Sequence, residues 1–160
     1  MEESVIELQR VLLGLQLFQV AFLWLHDWVP LGRLNDVAAV RRQDPLPRLV
    51  VVTLLQALPW TVLLVLSWRH FAEPYPASLR LWLWVGYGVL FLGELRAWWV
   101  PYLLAPDAGR AARYTAMFGS THAFLPRRHG IVPNTLHVLL HAATLATLFV
   151  LGAVELAGKR

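Results

Sequence analysis

Apolar residues fall into four long runs separated by polar, proline-containing connections. They are Val11 to Pro30 (VLLGLQLFQVAFLWLHDWVP), Leu49 to Trp68, Leu79 to Leu104 and Pro133 to Leu156. Each holds about the 20 residues a helix needs to cross about 30 Å of hydrocarbon. The third is interrupted by Glu94 and Arg96. The pattern predicts an all-α protein, an integral-membrane four-helix transmembrane bundle forming a single domain over residues 1–160. The first run follows Glu2, Glu3 and Glu7 with Arg10 as its one positive residue. It is expected to be a span and not a cleavable leader.

Within the runs, the rare polar residues recur on helical faces. At about 100° per residue, Gln9, Gln16, Gln19 and His26 share one face of the first helix. Asn134, His137, His141, Thr144 and Glu155 share one face of the fourth, and Tyr87, Glu94 and Trp98 one face of the third. Lipid cannot satisfy these groups, so the stripes should face one another inside the bundle. Pro59 should kink the second helix, and Gly86 with Gly93 should let a neighbour approach closely.

Composition agrees with a membrane class. Hydrophobic residues make up 58% and charged residues 15%, against about 45–50% and about 25% in soluble domains. The net charge of +4 does not imply a nucleic-acid partner, because the arginines sit in connections between apolar spans. There is no cysteine. That excludes disulfides, thiolate metal sites and cysteine nucleophiles.

Arginines set the expected direction. Arg33, Arg41, Arg42 and Arg48 lie in loop one, and Arg110, Arg113, Arg127 and Arg128 in loop three. They outnumber Arg10, Arg69, Arg80, Lys159 and Arg160 on the other side. The positive-inside rule then puts loops one and three in the cytoplasm and both termini outside, in a bacterial-type inner membrane. Trp28, Trp98 and Trp99 at one end, with Trp68, Trp82 and Trp84 at the other, read as a double interfacial belt. Trp24 and Trp60 lie deeper and should line the bundle.

Chemistry gathers at one end. His26, His122, His129, His137 and His141 all map to the side of loops one and three. His137 and His141, in HVLLH, stand at i and i+4, the spacing by which one helix offers two nitrogens to one metal. The glutamate base of HExxH is missing. The expected metal ligands are His26, His122, His137 and His141, with Glu94 and Asp27 as catalytic carboxylates. The cofactor so implied is a divalent ion, zinc or iron. Haem held by His26 and His137 is an alternative. Membrane di-iron hydroxylases need more histidines than six, and Walker, Rossmann, EF-hand and GxSxG patterns are absent. In FGSTHAFLPRRHGIVPNTLH, Arg127, Arg128 and Asn134 at a helix start are suited to hold an anionic lipid headgroup.

These features lead to an integral-membrane protein with a metal-binding histidine site at the cytoplasmic end, equipped for metal-dependent action on a lipidic or anionic amphiphilic substrate. Whether it catalyses a reaction is not fixed by the residues. Two readings from other classes stand beside it. One is a small transporter or proton-coupled carrier, which would need polar lining along the whole bundle, Glu155 included, and a homodimer. The other is a non-catalytic subunit of a membrane complex.

Overall fold

Helix α1 begins at Glu3, earlier than the apolar run, and stops at Leu25. Its end is set by side chains. Nδ1 of His26 bonds the Phe22 carbonyl at 2.9 Å, and Asn35 donates to the carbonyls of His26 and Val29 while accepting from the Leu31 N–H. Asn35 thus closes the turn that Pro30 enforces, and His26 and Asp27 fall in that turn, beyond the helix. The computed structural model describes residues 3–158, all-helical with an isolated bridge between Arg128 and Ile131 in place of strands.

After a 3₁₀ turn (Gly32–Leu34), short α2 (Val37–Gln43) leads into α3 (Leu46–Arg69). Helix α4 (Ala77–Glu94) continues without a break through a π-helical turn (Leu95–Trp99) into α5 (Val100–Leu103). Helix α6 (Ala108–Phe118) and a compact loop precede α7 (Thr135–Ala157). Among the described residues α1, α3 and α7 are each long and apolar enough to cross a membrane. Helix α1 packs between α3 and α7, and α4 closes the ring against α7 and α3.

The polar stripes meet as expected. Gln9, Gln16 and Gln19 are all buried. Gln9 donates to the Glu73 carbonyl and accepts from the Ala72 N–H, pinning the α3–α4 loop where Ala72 has a φ of 63°. Gln16 donates to Ser67, and Gln19 to Thr147 at 2.8 Å. Trp24 and Trp28 donate to Thr61 and Thr53 of α3. Polarity therefore runs the length of the bundle and is not confined to one end, but most of it is spent on bonds between helices. Glu155 lies off this thread, accepting from Trp84 at the surface.

The π turn was not expected from the sequence. Val100 N–H reaches back to the Leu95 carbonyl. Pro101 has no N–H, so the Arg96 and Ala97 carbonyls lose the donor that either a π or an α register would give them. Arg110 supplies both, at 2.9 and 2.8 Å, and the Tyr114 hydroxyl adds to Ala97 at 3.2 Å. Arg110 is therefore structural as well as topological. The turn also corrects the belt: Trp98 is 5% exposed and packs inward with Trp99, while Trp68 and Trp82 do face outward.

Loops one and three form a cap over this end. Asp36 caps α2 by accepting from Ala39 N–H and from Ser120 Oγ of loop three. Arg113 of α6 pairs with Asp44 at the end of α2. Val40, Leu49 and Met117 pack beneath.

Removing the guanidinium in Arg110→Ala leaves the two carbonyls short of a donor. A loss of about 1–3 kcal/mol is expected, read as a lower thermal midpoint in detergent. The Ala39 N–H, then Ser120, hold the Asp36 carboxyl below its usual value. This tie is therefore fully present above about pH 4 and is lost as pH falls through the lower folded value. Thermal midpoints measured against pH should show that acid loss in the wild type, reduced in Asp36→Asn.

Candidate functional site

A cavity of about 490 Å³ lies between α1, α3, α4 and α7 beneath the α2–α6 cap. Phe22, Leu23, Leu49, Leu140 and Met117 supply apolar wall, and His26, Asp27, Glu94, His137 and His141 supply its polar lining. The structure brings these five expected site residues to one cavity and leaves the other four, His122, Arg127, Arg128 and Asn134, out of its lining.

Helix α7 starts where Asn134 accepts from the His137 N–H at 3.0 Å. Pro133 precedes this cap and is not the first helical residue. The same oxygen meets His137 Nδ1 at 2.6 Å. An atom that accepts from a backbone N–H is the amide oxygen, so Nδ1 carries the proton and Nε2 keeps the lone pair. Asn134, buried, therefore caps the helix and orients a histidine; it does not face a headgroup.

His141 has the opposite tautomer. Trp99 Nε1–H donates to its Nδ1 at 3.0 Å, so the ring is neutral with its proton on Nε2. The π turn makes this possible: Trp99 reaches His141, while the adjacent Trp98 lies against His137 with ring centroids 4.5 Å apart. Phe22, Phe118 and Trp98 enclose His137. Single-turn π bulges recur at functional sites.

His26 stacks on Phe22, with Nε2 at 3.3 Å from Asp27. Its two nitrogens thus face two oxygens that accept, the Phe22 carbonyl and the Asp27 carboxyl. Glu94 is 6% exposed. Its Oε1 lies 2.8 Å from Thr144 Oγ, which also faces Gln19 Oε1 and the Leu140 carbonyl. Its Oε2 is buried without a protein partner.

Of the four expected ligands, His26 and His137 are in edge-to-face contact and His137 lies beside His141, with centroids 5.8 and 6.2 Å apart. His122 is apart from the cavity. It is exposed, with Nδ1 2.7 Å from Thr135 Oγ and its N–H bonded to the Arg33 carbonyl. Among the described residues no group of three or more His, Asp or Glu is placed to hold a metal ion. The Trp99 bond also withdraws His141, because its Nε2 is the protonated nitrogen. Direct contact between His26 and His137 leaves no slot between them for a porphyrin.

Arg127 and Arg128 likewise miss the cavity. Arg127 donates to the Gly130 carbonyl, and Arg128 lies over the Tyr102 ring at 5.8 Å. Both belong to a tight reversal in which His129 and Gly130 take φ of 49° and 78° between bridged Arg128 and Ile131. Two left-handed central residues make this the hairpin turn that favours glycine.

Sequence reasoning missed Trp99 and Gln56; it placed Trp60 inside the bundle, and Trp98 both in the interfacial belt and on the face of Glu94. The adjacent tryptophans read as lipid anchors because an ideal helix would not turn both inward. Gln56 falls outside every polar stripe, and that isolation was the one available signal. No family model, curated protein or solved structure matches the chain.

Histidine ¹⁵N spectra should show Nδ1–H for His137 and Nε2–H for His141. In Trp99→Phe the His141 ring loses its donor and should shift to mixed tautomers, with His137 unchanged.

Proposed function

We propose that α1, α3, α4–α5 and α7 cross a bilayer as a four-helix bundle, with loops one and three cytoplasmic, and that the cavity binds a neutral amphiphile. The observation that carries this reading is Glu94, a buried carboxyl whose Oε2 has no protein partner at the wall of a large, mostly apolar cavity. An unpaired buried polar atom costs about 1–3 kcal/mol, and a bound group with a proton to give removes that cost.

The polar complement defines the head. His137 Nε2 accepts, His141 Nε2–H donates, and Glu94 Oε2 is unpaired. Arg113, the cation at the cavity, is committed to Asp44. A hydroxyl or carbonyl therefore suits the site better than the anionic headgroup expected from loop three. The aromatic and aliphatic walls take the chain. His137 Nε2 is also placed to remove a proton from a bound hydroxyl, the acid–base step this site would contribute as an enzyme.

The test is photolabelling in lipid nanodiscs by a long-chain alcohol with a diazirine beside its hydroxyl. Adducts are expected on peptides carrying Glu94, Trp98 or His137. His137→Ala should lower occupancy about tenfold, the effect of about 1.4 kcal/mol. Glu94→Gln, which keeps a partner for Thr144, should fold normally. Adducts elsewhere only would overturn the reading. Labelling that requires added Zn²⁺ or Fe²⁺ and is abolished by a chelator would favour the metal site instead.

A further inference from the structure

The exposed part of the cavity's lining lies away from the cap. The other end lies under the α2–α6 cap, where Arg113, its side chain 37% exposed, pairs with Asp44 beside the Val40, Leu49 and Met117 cluster. Among the described residues lining it, the exposed ones are Gln56, Val89 and Gly93. All lie on α3 and α4, in the outward faces between those helices.

Helices α3 and α4 meet closely on one side of this opening. At Gly86 they touch so closely that an added Cβ would stand 2.9 Å from Leu63 Cδ1. Seven residues on, at Gly93, an added Cβ would meet nothing within 4 Å. The expectation that both glycines serve close packing holds for Gly86 and fails for Gly93, which borders the opening. Pro59 beside the gap deprives the Leu55 carbonyl of its intrahelical donor.

An apolar groove continues from this gap along the α3–α4 surface, with a volume of about 550 Å³. Trp60 and Val89 line both groove and cavity. Trp60 Nε1 is buried without a protein partner at their junction. Gln56 is an exposed amide amid the apolar surface of a helix of membrane-spanning length, where lipid chains offer it no hydrogen bond.

We propose that the gap between α3 and α4 is a lateral portal through which a neutral, single-chain amphiphile passes from the bilayer into the cavity. Its head moves past Gln56 and Trp60 to the histidines. Its chain remains along the groove. This rests on the amphiphile-binding reading above and adds the route and the source, the membrane and not the aqueous phase.

The experiment uses the same diazirine alcohol, dissolved in the nanodisc lipid, and follows cavity labelling over time. Gly93→Leu fills the mouth from a position with room for a side chain, and Val89→Trp narrows it independently from an exposed site. With thermal midpoints near wild type, each should slow cavity labelling at least tenfold, while Leu92→Trp, an exposed control outside both linings, should not. Wild-type rates in both narrowed variants would overturn the portal and leave the binding site standing. Absence of cavity labelling in the wild type would overturn both. Disulfide-linked dimers through the lone cysteine of Val89→Cys in the same nanodiscs would mean the gap is a dimer contact and overturn the portal alone.

Discussion

A polar group inside this bundle has to find its partner within the protein, and that constraint arranges everything else. Among the described residues three of the helices are long and apolar enough to cross a membrane, where packing apolar helices against one another would gain little. The specific pairing comes from hydrogen bonds: Gln9 to the α3–α4 loop, Gln16 to Ser67, Gln19 to Thr147, Trp24 and Trp28 to α3 threonines. These bonds fix helix rotation about each axis. Helix rotation in turn decides which residues line the cavity.

The same constraint separates scaffold from site. Away from the cavity Gln9, Gln19, Trp24 and Trp28 are paired and hold the bundle together, while Gln16 Oε1 and the Tyr75 and Tyr87 hydroxyls are buried without a protein partner. At the end beneath the α2–α6 cap the pairing is partial. His137 and His141 are each fastened by one nitrogen, through Asn134 and Trp99, leaving the other nitrogen of each ring directed elsewhere. Glu94 is held through one oxygen only. Such half-satisfied, oriented groups are what a binding or reactive centre requires. They differ from a metal cage, which would need several nitrogens with free lone pairs converging on one point.

Much of this was legible in the sequence, because burial in an apolar medium writes itself into residue spacing. The second and fourth runs match α3 and α7 closely, and the glutamine stripe predicted the inward face of α1. What escaped depends on events the pattern does not encode. The π turn follows from a proline several residues downstream combined with an arginine on another helix. The inward turn of Trp99 alongside Trp98 follows from the π turn. The separation of His122 from the other histidines follows from its backbone bond to Arg33, a long-range contact with no local signature. Loop arginines, read as topological charge, prove to be partners of named carbonyls and carboxylates.

A π turn is an α-helix that holds one residue more than its register requires. The stretch from Leu95 to Trp99 can therefore be viewed as a single-residue insertion tolerated because Arg110 and Pro101 stabilise it. Deleting one residue there would let an ordinary helix run through, rotating the tryptophans off the histidines while leaving hydrophobicity, length and span count almost unchanged. Among distant homologues, a one-residue gap at this point, together with loss of the arginine, would distinguish chains that keep the bundle as a scaffold from chains that keep the site.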